Sequence, residues 1–413
     1  MSDTRRSAHV IIVGGGPGGA VLAFLLARAG VRTTVLERHH DFAREFRGEV
    51  LMPGGLEPFD QMGLWEELDR VPHVALNRFG LYVHGQCVAR IELSDEIFGR
   101  FGPRWVSQPE LLEMLVAQAA QFPSFTLERG ATVRHLLEEE GRVRGVSVLT
   151  EKGEREVRGD FVIGADGRTS VVRRRSGVRV VEDSVPMDVV WLKLPRPAPE
   201  TGTGGIEPRA YVGGGRLLIC APTPDGLLQL AWIIAKDSFS DVRSRGMPAL
   251  IDEMARQVDP VLAEHLRLHR EASVRPFLLS TVADRVETWS RPGMLLIGDA
   301  AHTTSPVGAQ GLNLAIRDAI VAANRMSPLL REGAGPEQLD RAAREVQEER
   351  DKEIRAIQRL QSLPPKLILR DAGWARLALR VLPHLLRGQV RKARNEGVFG
   401  RFAWGVSKVQ LID

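Results

Sequence analysis

Apolar residues along the chain follow two different rhythms, and the change between them divides the molecule. Near the start, His9 to Val13 (HVIIV) is a short β-branched run, GGGPGG follows at once, and the apolar, alanine-rich stretch AVLAFLLARAG comes next. That order predicts a buried strand, a tight turn and a helix. A second strand, VRTTVLE, ends at Glu37. Unbroken apolar runs recur at Phe161 to Ile163 and Met294 to Ile297, followed directly by Gly164, Asp166 and Gly167 in one case and Gly298 and Asp299 in the other. Helices are predicted to open near Thr169 and about Gly311. Over 74–105 and 181–280 the runs become short and β-like: FGLYVHG, VARIEL, VVWLKL, RAYVGGGRLLICAP and LLQLAWIIA. They predict a mostly antiparallel sheet.

From 336 onward the pattern is helical, with EQLDRAAREVQEERDKEIRAIQRLQSL carrying charged residues at helical spacing. After Pro364 and Pro365 comes a shorter basic, apolar stretch containing Arg376, Arg380, Arg387, Arg391, Lys392 and Arg394. It suits either a membrane-surface helix or a C-terminal helix pair packed over the rest of the protein, and the second reading is preferred.

The first block carries the most defined chemistry. Gly14, Gly16 and Gly19 match G-x-G-x-x-G, with Pro17 and Gly18 completing the loop. Missing side chains permit the turn, let the backbone approach a pyrophosphate, and allow the helix to pack on the strand. The helix N-terminus adds unpaired amides and a positive dipole end. Glu37, followed by Arg38, stands where a carboxylate can accept hydrogen bonds from ribose hydroxyls. This block alone does not choose between NAD and FAD.

Composition narrows the class. The 413 residues suggest two intimately connected domains, and 43% hydrophobic with 26% charged residues is the balance of a globular protein. A net charge of +4 favours anionic partners only modestly, and a phosphate-bearing cofactor satisfies it without nucleic acid. Cys87 and Cys220 have no metal-ligand spacing and form no disulfide framework, so no metal site is expected and a reducing cytoplasm fits. No secretion leader or transmembrane run is read in the sequence.

Together GGGPGG, GDFVIGADGRTSVVRRRSG and GMLLIGDAAHTTSPVGAQGLNLAIRDA resemble, in order and spacing, the hallmark motifs of the flavoprotein aromatic hydroxylases, the family that includes para-hydroxybenzoate hydroxylase. The resemblance implies an α/β fold: a Rossmann-like FAD-binding domain, an antiparallel substrate domain and C-terminal helices. It implies a discontinuous FAD domain over 1–73, 106–180 and 281–335, a substrate domain over 74–105 and 181–280, and a helical region over 336–413. Asp299 would then bond the ribityl chain of FAD, and the loop containing Pro306, Gly308, Gly311, Leu312 and Asn313 would lie against the isoalloxazine. Asp166 would help hold FAD and is associated with NAD(P)H. Arg47, in FRGEVL, and Gln108, in RWVSQPELLEML, stand where the family places an arginine near the flavin and a glutamine on the ribityl chain. Arg28 is a weaker candidate, and His302 would help hold the flavin loop.

The same resemblance implies a monooxygenase in which NAD(P)H reduces FAD, oxygen adds at flavin C4a, and the hydroperoxide hydroxylates or epoxidises an electron-rich, aromatic or polycyclic small molecule. The expected partners are that substrate and O2, in a monomer or homodimer. His73 and His84 are the residues on the substrate side able to act as a base, although isolated histidines more often serve structure. Tyr82, Trp105, Tyr211, Leu218, Leu230 and Trp232 either line an apolar cavity or pack the sheet. Flavin-dependent halogenases, prenyl-chain reductases and a non-catalytic FAD protein sequestering a reactive intermediate are the rival readings, and the Trp-x-Trp-x-Ile-Pro motif of the halogenases is absent.

Overall fold

In the computed structural model the described residues are 8–43, 50–93, 95–183, 187–197, 207–271, 276–368 and 397–412. Arg47 and the basic positions from Arg376 to Arg394 lie outside them.

The unbroken apolar runs become the strands of one sheet, ordered Ser290–Arg291, Met294–Leu296, Phe161–Gly164, His9–Val13, Arg32–Glu37, Phe125–Arg129. All neighbours pair in parallel except the first two strands. Strands of a parallel sheet are covered on both faces, which is why no alternation shows in the sequence. Val10, Ile11, Ile12, Phe161, Val162, Met294, Leu295 and Leu296 have no exposed surface. Each such side chain contributes about 1.5–3 kcal/mol of burial free energy. Helix Pro17–Arg28 and the long helix Gln310–Glu332 share this core, together with Val143, Val146 and Val148 of a separate three-stranded sheet.

The alternating segments build a second sheet of seven strands, ordered Phe277–Ser280, Met187–Pro195, Leu227–Ala235, Arg216–Pro222, Arg209–Gly213, Arg78–Val83, Gln86–Glu92. Its pairings are antiparallel apart from that of Arg209–Gly213 with Arg78–Val83. Both faces are buried, and strand alternation sorts the residues between them. Tyr82, Tyr211, Leu218, Leu230 and Trp232 turn to one face and pack against the helices Gly246–Ala255 and Pro260–Leu268. Their neighbours by one residue, Leu217, Ile219, Ala231 and Ile233, turn to the other face with Trp191, and Val307 packs against this second group. Five of the six apolar positions that suited either cavity or core are therefore core residues. Both faces carry large apolar side chains, so the sequence pattern could not tell them apart. The sixth, Trp105, is also buried but in a separate apolar cluster, with Ala221, Phe98 and Ala403.

Helix Pro336–Ile368 runs on past Pro364 and Pro365. No helix among the described residues is long and apolar enough to cross a membrane.

Candidate active site at the carboxyl edge of the parallel sheet

Parallel pairing brings the ends of four strands side by side, so Glu37, Gly14, Asp166 and Asp299 stand in that order along one edge. In open α/β sheets the carboxyl edge is where ligands bind.

The glycine loop is as tight as its sequence requires. Gly14 has φ +101°, and a Cβ there would lie 2.5 Å from the carbonyl oxygen of Ala165. A Cβ on Gly19 would sit 2.1 Å from the Gly14 oxygen. Gly18 abuts Ala315 of the long helix, so the loop is clamped between two segments remote in sequence. Pro17 opens the helix, Gly16 precedes it, and no side chain caps its first turn. The Gly15 and His39 amides donate to the Glu37 carboxylate at 2.8 and 3.1 Å, which fixes that buried acid beside the loop. Arg38 turns outward, its Nε 2.9 Å from His39 Nε2. Arg28 donates to the Met62 carbonyl at 3.0 Å.

The two later aspartates differ in employment. Asp166 accepts from the Ser170 hydroxyl at 2.5 Å and from the Val171 and Val172 amides at 2.6 and 3.2 Å, so together with the N-cap Ser170 it caps helix Val171–Ser176. Burial pushes its carboxyl above the usual carboxylate range, against those three hydrogen bonds. Asp299 is only partly buried and meets Arg168 Nε at 3.2 Å, while Arg168 Nη1 is buried with no protein partner. A buried guanidinium nitrogen without an acceptor is expensive, which marks a place for a ligand oxygen.

The loop after Asp299 ends in Ala309, in a left-handed conformation, and helix Gln310–Glu332 starts there without a side-chain cap. The first-turn amides, Gly311, Leu312 and Asn313 among them, give a positive helix end. The Asn313 side chain accepts from the Met52 amide at 2.9 Å and donates to the Val50 carbonyl at 3.0 Å, fastening the helix to the strand Val50–Leu51. Gln108 is the first residue of helix Gln108–Ala119, which also lacks a side-chain cap.

Three groups the sequence reading did not single out hold this loop. Gln361 Nε2 donates to the carbonyls of Ser305 and Val307 at 2.8 and 2.7 Å, and Gln358 Nε2 donates to that of Thr303 at 2.9 Å. Gln310 Nε2 donates to the Phe402 carbonyl at 2.8 Å, and Phe402 packs so close to Gly308 (φ +73°) that a Cβ would lie 2.6 Å from its ring. Behind the loop lies a buried chain of charges: His302 Nε2 to Asp318 at 2.6 Å, Asp318 to Arg350 Nε at 2.8 Å, Arg350 to Glu353, and Glu353 to Arg317 Nη2 at 3.0 Å. Arg317 also donates to the Trp404 carbonyl at 2.8 Å, and Glu353 accepts from the Val406 amide at 2.7 Å. The C-terminal segment is thereby tied to the loop helix. Charged pairs inside otherwise apolar helical stretches, Arg317–Asp318 within LNLAIRDAIVAA above all, were the available signal.

His84 is exposed at the turn between Arg78–Val83 and Gln86–Glu92, with φ +49°. The Nδ1 of His73 lies 2.8 Å from the Val71 carbonyl oxygen on the short strand His73–Ala75. Neither histidine belongs to the apolar group facing Val307. A cleft of about 660 Å³ lined by Asp188, Phe239, Arg243 and Leu278 involves strand Met187–Pro195 and helix Phe239–Ser244, and none of the edge residues lines it.

A glycine cradle, three uncapped helix starts, a part-buried carboxylate and an orphaned guanidinium nitrogen fit a dinucleotide with a ring system at one end. The comparisons with known proteins agree. The family described as FAD binding domain matches residues 7–355. The chain is 33% identical over 402 residues to the 6-methylpretetramide 4-monooxygenase of Streptomyces rimosus, covering 96% of this chain and 92% of that one. It is 29% identical over 330 residues to a 3-(3-hydroxy-phenyl)propionate/3-hydroxycinnamic acid hydroxylase of Burkholderia cenocepacia, spanning 77% of this chain but 56% of that relative. The crystal structure of p-nitrophenol 4-monooxygenase from Pseudomonas putida superposes with a TM-score of 0.80 at 19% identity, over 97% of this chain and 99% of the other, and shares the fold. The chain belongs to the FAD binding domain family and is an FAD-dependent monooxygenase of the aromatic-hydroxylase type.

Proposed function

We propose that this enzyme uses NAD(P)H and O2 to hydroxylate an aromatic, polycyclic small molecule held between the seven-stranded sheet and the loop 302–309. The observation that carries the reading is the packing of Val307, in that loop, against the sheet face formed by Trp191, Ala231 and Ile233. This apposition puts an apolar wall opposite the positive end of helix Gln310–Glu332. The relative that points to the substrate class is the 6-methylpretetramide 4-monooxygenase of Streptomyces rimosus.

When bound, FAD supplies the redox chemistry and the activation of oxygen. The chain's own residues bind, orient and shield. Gly16, Gly18 and Gly19 would take the pyrophosphate on backbone amides, while Gly14, whose amide donates to the Leu36 carbonyl, and Pro17, which has no N–H, shape the turn. Glu37, oriented by Gly15 and His39, would accept from the adenosine ribose, with Arg38 at the rim. Asp299 would accept from the ribityl hydroxyls while Arg168 donates Nη1 to a nearby oxygen. The amides of Gly311, Leu312 and Asn313 would stabilise negative charge on the reduced ring, and Pro306 and Gly308 shape the loop beside it. Gln108 would add a further contact at its own uncapped helix start. Asp166, already serving as a cap, would act by fixing the backbone of the DG turn. The apolar sheet face would exclude water from the reacting atoms.

The test is coupling: substrate-stimulated NAD(P)H oxidation with oxygen uptake matched one to one by hydroxylated product. Oxidation that yields peroxide with every candidate aromatic compound, or product formed without oxygen uptake, contradicts the proposal. Asp299→Ala is expected to weaken FAD binding roughly 10–100-fold, the equivalent of one charge-assisted hydrogen bond of about 1.5–3 kcal/mol, while thermal stability of the apoprotein changes little. Unchanged FAD affinity in a folded variant, read by fluorescence titration, would remove Asp299 from the site.

A further inference from the structure

Gln229 is the third residue of strand Leu227–Ala235, 1% exposed, and neither its amide oxygen nor its amide nitrogen has a hydrogen-bond partner. Among the described residues it is the one side-chain amide with both polar atoms buried and unpartnered. Leaving such groups unsatisfied is costly, so they are rare in folded proteins and call for a reason.

Its position supplies one. Strand alternation turns Leu228, Leu230 and Trp232 to the helix-covered face and leaves Gln229 on the same face as Ala231 and Ile233. Ala231 and Ile233 pack with Trp191 and with Val307 of the flavin loop. Across the strand pair, Gln229 stands opposite Ala221, which packs with Ala403 and Trp404 of the C-terminal helix Gly397–Trp404. On its other side it stands opposite Lys193, which is ion-paired with Asp225 at 2.9 Å. The amide therefore lies where the sheet, the flavin loop and the C-terminal helix meet. Trp191, on the same face, also has a buried indole N–H with no acceptor.

We infer that Gln229 is a substrate-binding residue whose amide pairs with a hydroxyl and a carbonyl carried side by side on an uncharged aromatic ligand. The amide N–H donates to the ligand carbonyl, the ligand hydroxyl donates to the amide oxygen, and the Trp191 N–H offers one more donor. A neutral amide and a neutral indole satisfy dipoles rather than full charges, so the ligand is a hydroxy-keto polycycle and not a carboxylate. This rests on the hydroxylase reading above, and it adds the polar anchor of the substrate and the ligand's charge.

The test uses the FAD-loaded full chain, with quinizarin as the uncharged hydroxy-keto probe and para-hydroxybenzoate as the anionic comparison. Binding is read from the perturbed flavin absorbance. Wild type is expected to bind quinizarin and to bind para-hydroxybenzoate at least about 10-fold more weakly. Gln229→Leu and Gln229→Met are each expected to weaken quinizarin roughly 10–100-fold, the worth of two lost hydrogen bonds. Flavin content should stay at the wild-type level. Apoprotein melting should hold steady or rise, because an unpaired buried amide has been replaced by an apolar group. A purely structural amide gives the opposite signature: both variants melt lower or fail to fold, and the inference is then overturned. It is likewise overturned if either folded variant binds quinizarin as wild type does, or if wild type prefers the anion. Loss of coupled hydroxylation in wild type with every substrate would instead strike at the hydroxylase reading, so the two failures are distinguishable.

Discussion

Replacing Glu353 by glutamine is expected to cost about 3–5 kcal/mol of stability and to release FAD, although the side chain touches no part of the proposed cofactor site. Glu353 is 1% exposed and bridges Arg350, Arg317, the Ser407 hydroxyl and the Val406 amide. Glutamine keeps the shape but leaves two buried guanidinium groups short of a countercharge. Arg350 is left with Asp318, which also receives the Gly298 amide at 3.0 Å immediately before Asp299, and Arg317 with the carbonyls of Trp404 and Ser407. The damage should therefore reach the loop 302–309, and urea unfolding followed by flavin fluorescence would register both effects. A variant as stable as wild type would show that the charge chain is incidental.

The same network fixes a pH dependence. Burial opposes ionisation of Asp318 and Glu353, but His302 and Arg350 around the first, and Arg350 and Arg317 around the second, outweigh it and hold both carboxyls below their usual range. A carboxyl whose folded value is depressed contributes stability that is fully present above its unfolded value, about 4, and is lost as pH falls through the folded value. The stability difference between wild type and Glu353→Gln should thus be largest near neutrality and shrink below about pH 4.

Gly19→Ala is expected to abolish FAD binding, lowering affinity by at least about 100-fold, or roughly 2.7 kcal/mol. The new methyl would stand 2.1 Å from the carbonyl oxygen of Gly14 and 3.3 Å from the Ala165 side chain. Backbone cannot rotate away as a flexible side chain can, so the loop must open and the helix Pro17–Arg28 must move off the strand. Gly30, where nothing lies within 4 Å of the added carbon, has φ +78°, so alanine there would strain the turn without touching the loop. Gly30→Ala is the control: it should lower the melting temperature yet bind FAD normally. Normal FAD affinity in Gly19→Ala would contradict the proposed cradle.

These sites were legible in the sequence to different degrees, for physical reasons. Local backbone geometry writes itself into residue type, so the glycine loop, the strand before it and Glu37 at the end of the next strand could be placed from spacing alone. A fully buried parallel strand likewise shows as an unbroken apolar run, as at Phe161–Gly164. Asp166 and Asp299 look alike in sequence, and only the partners separate a helix cap from a carboxylate held by Arg168. The face of the antiparallel sheet was hidden because both faces are apolar: Trp232 and Ile233 differ by one position and by everything they touch. Gln229, a lone polar residue in LLQLAWIIA, was visible but carried no meaning until its burial and lack of partners were known. Contacts between Gln310, Arg317 and the segment 402–407 join residues about ninety positions apart, and no periodicity reports such pairs.

The most direct test of the central claim is the fate of molecular oxygen. The FAD-loaded enzyme is supplied with NAD(P)H, a hydroxy-keto polycyclic substrate and isotopically labelled O2 in unlabelled water, and the product is weighed by mass spectrometry. One labelled oxygen atom is expected in each hydroxylated product, with one NAD(P)H consumed for each. Product carrying oxygen from water, or a reduced product carrying no new oxygen, would contradict the claim.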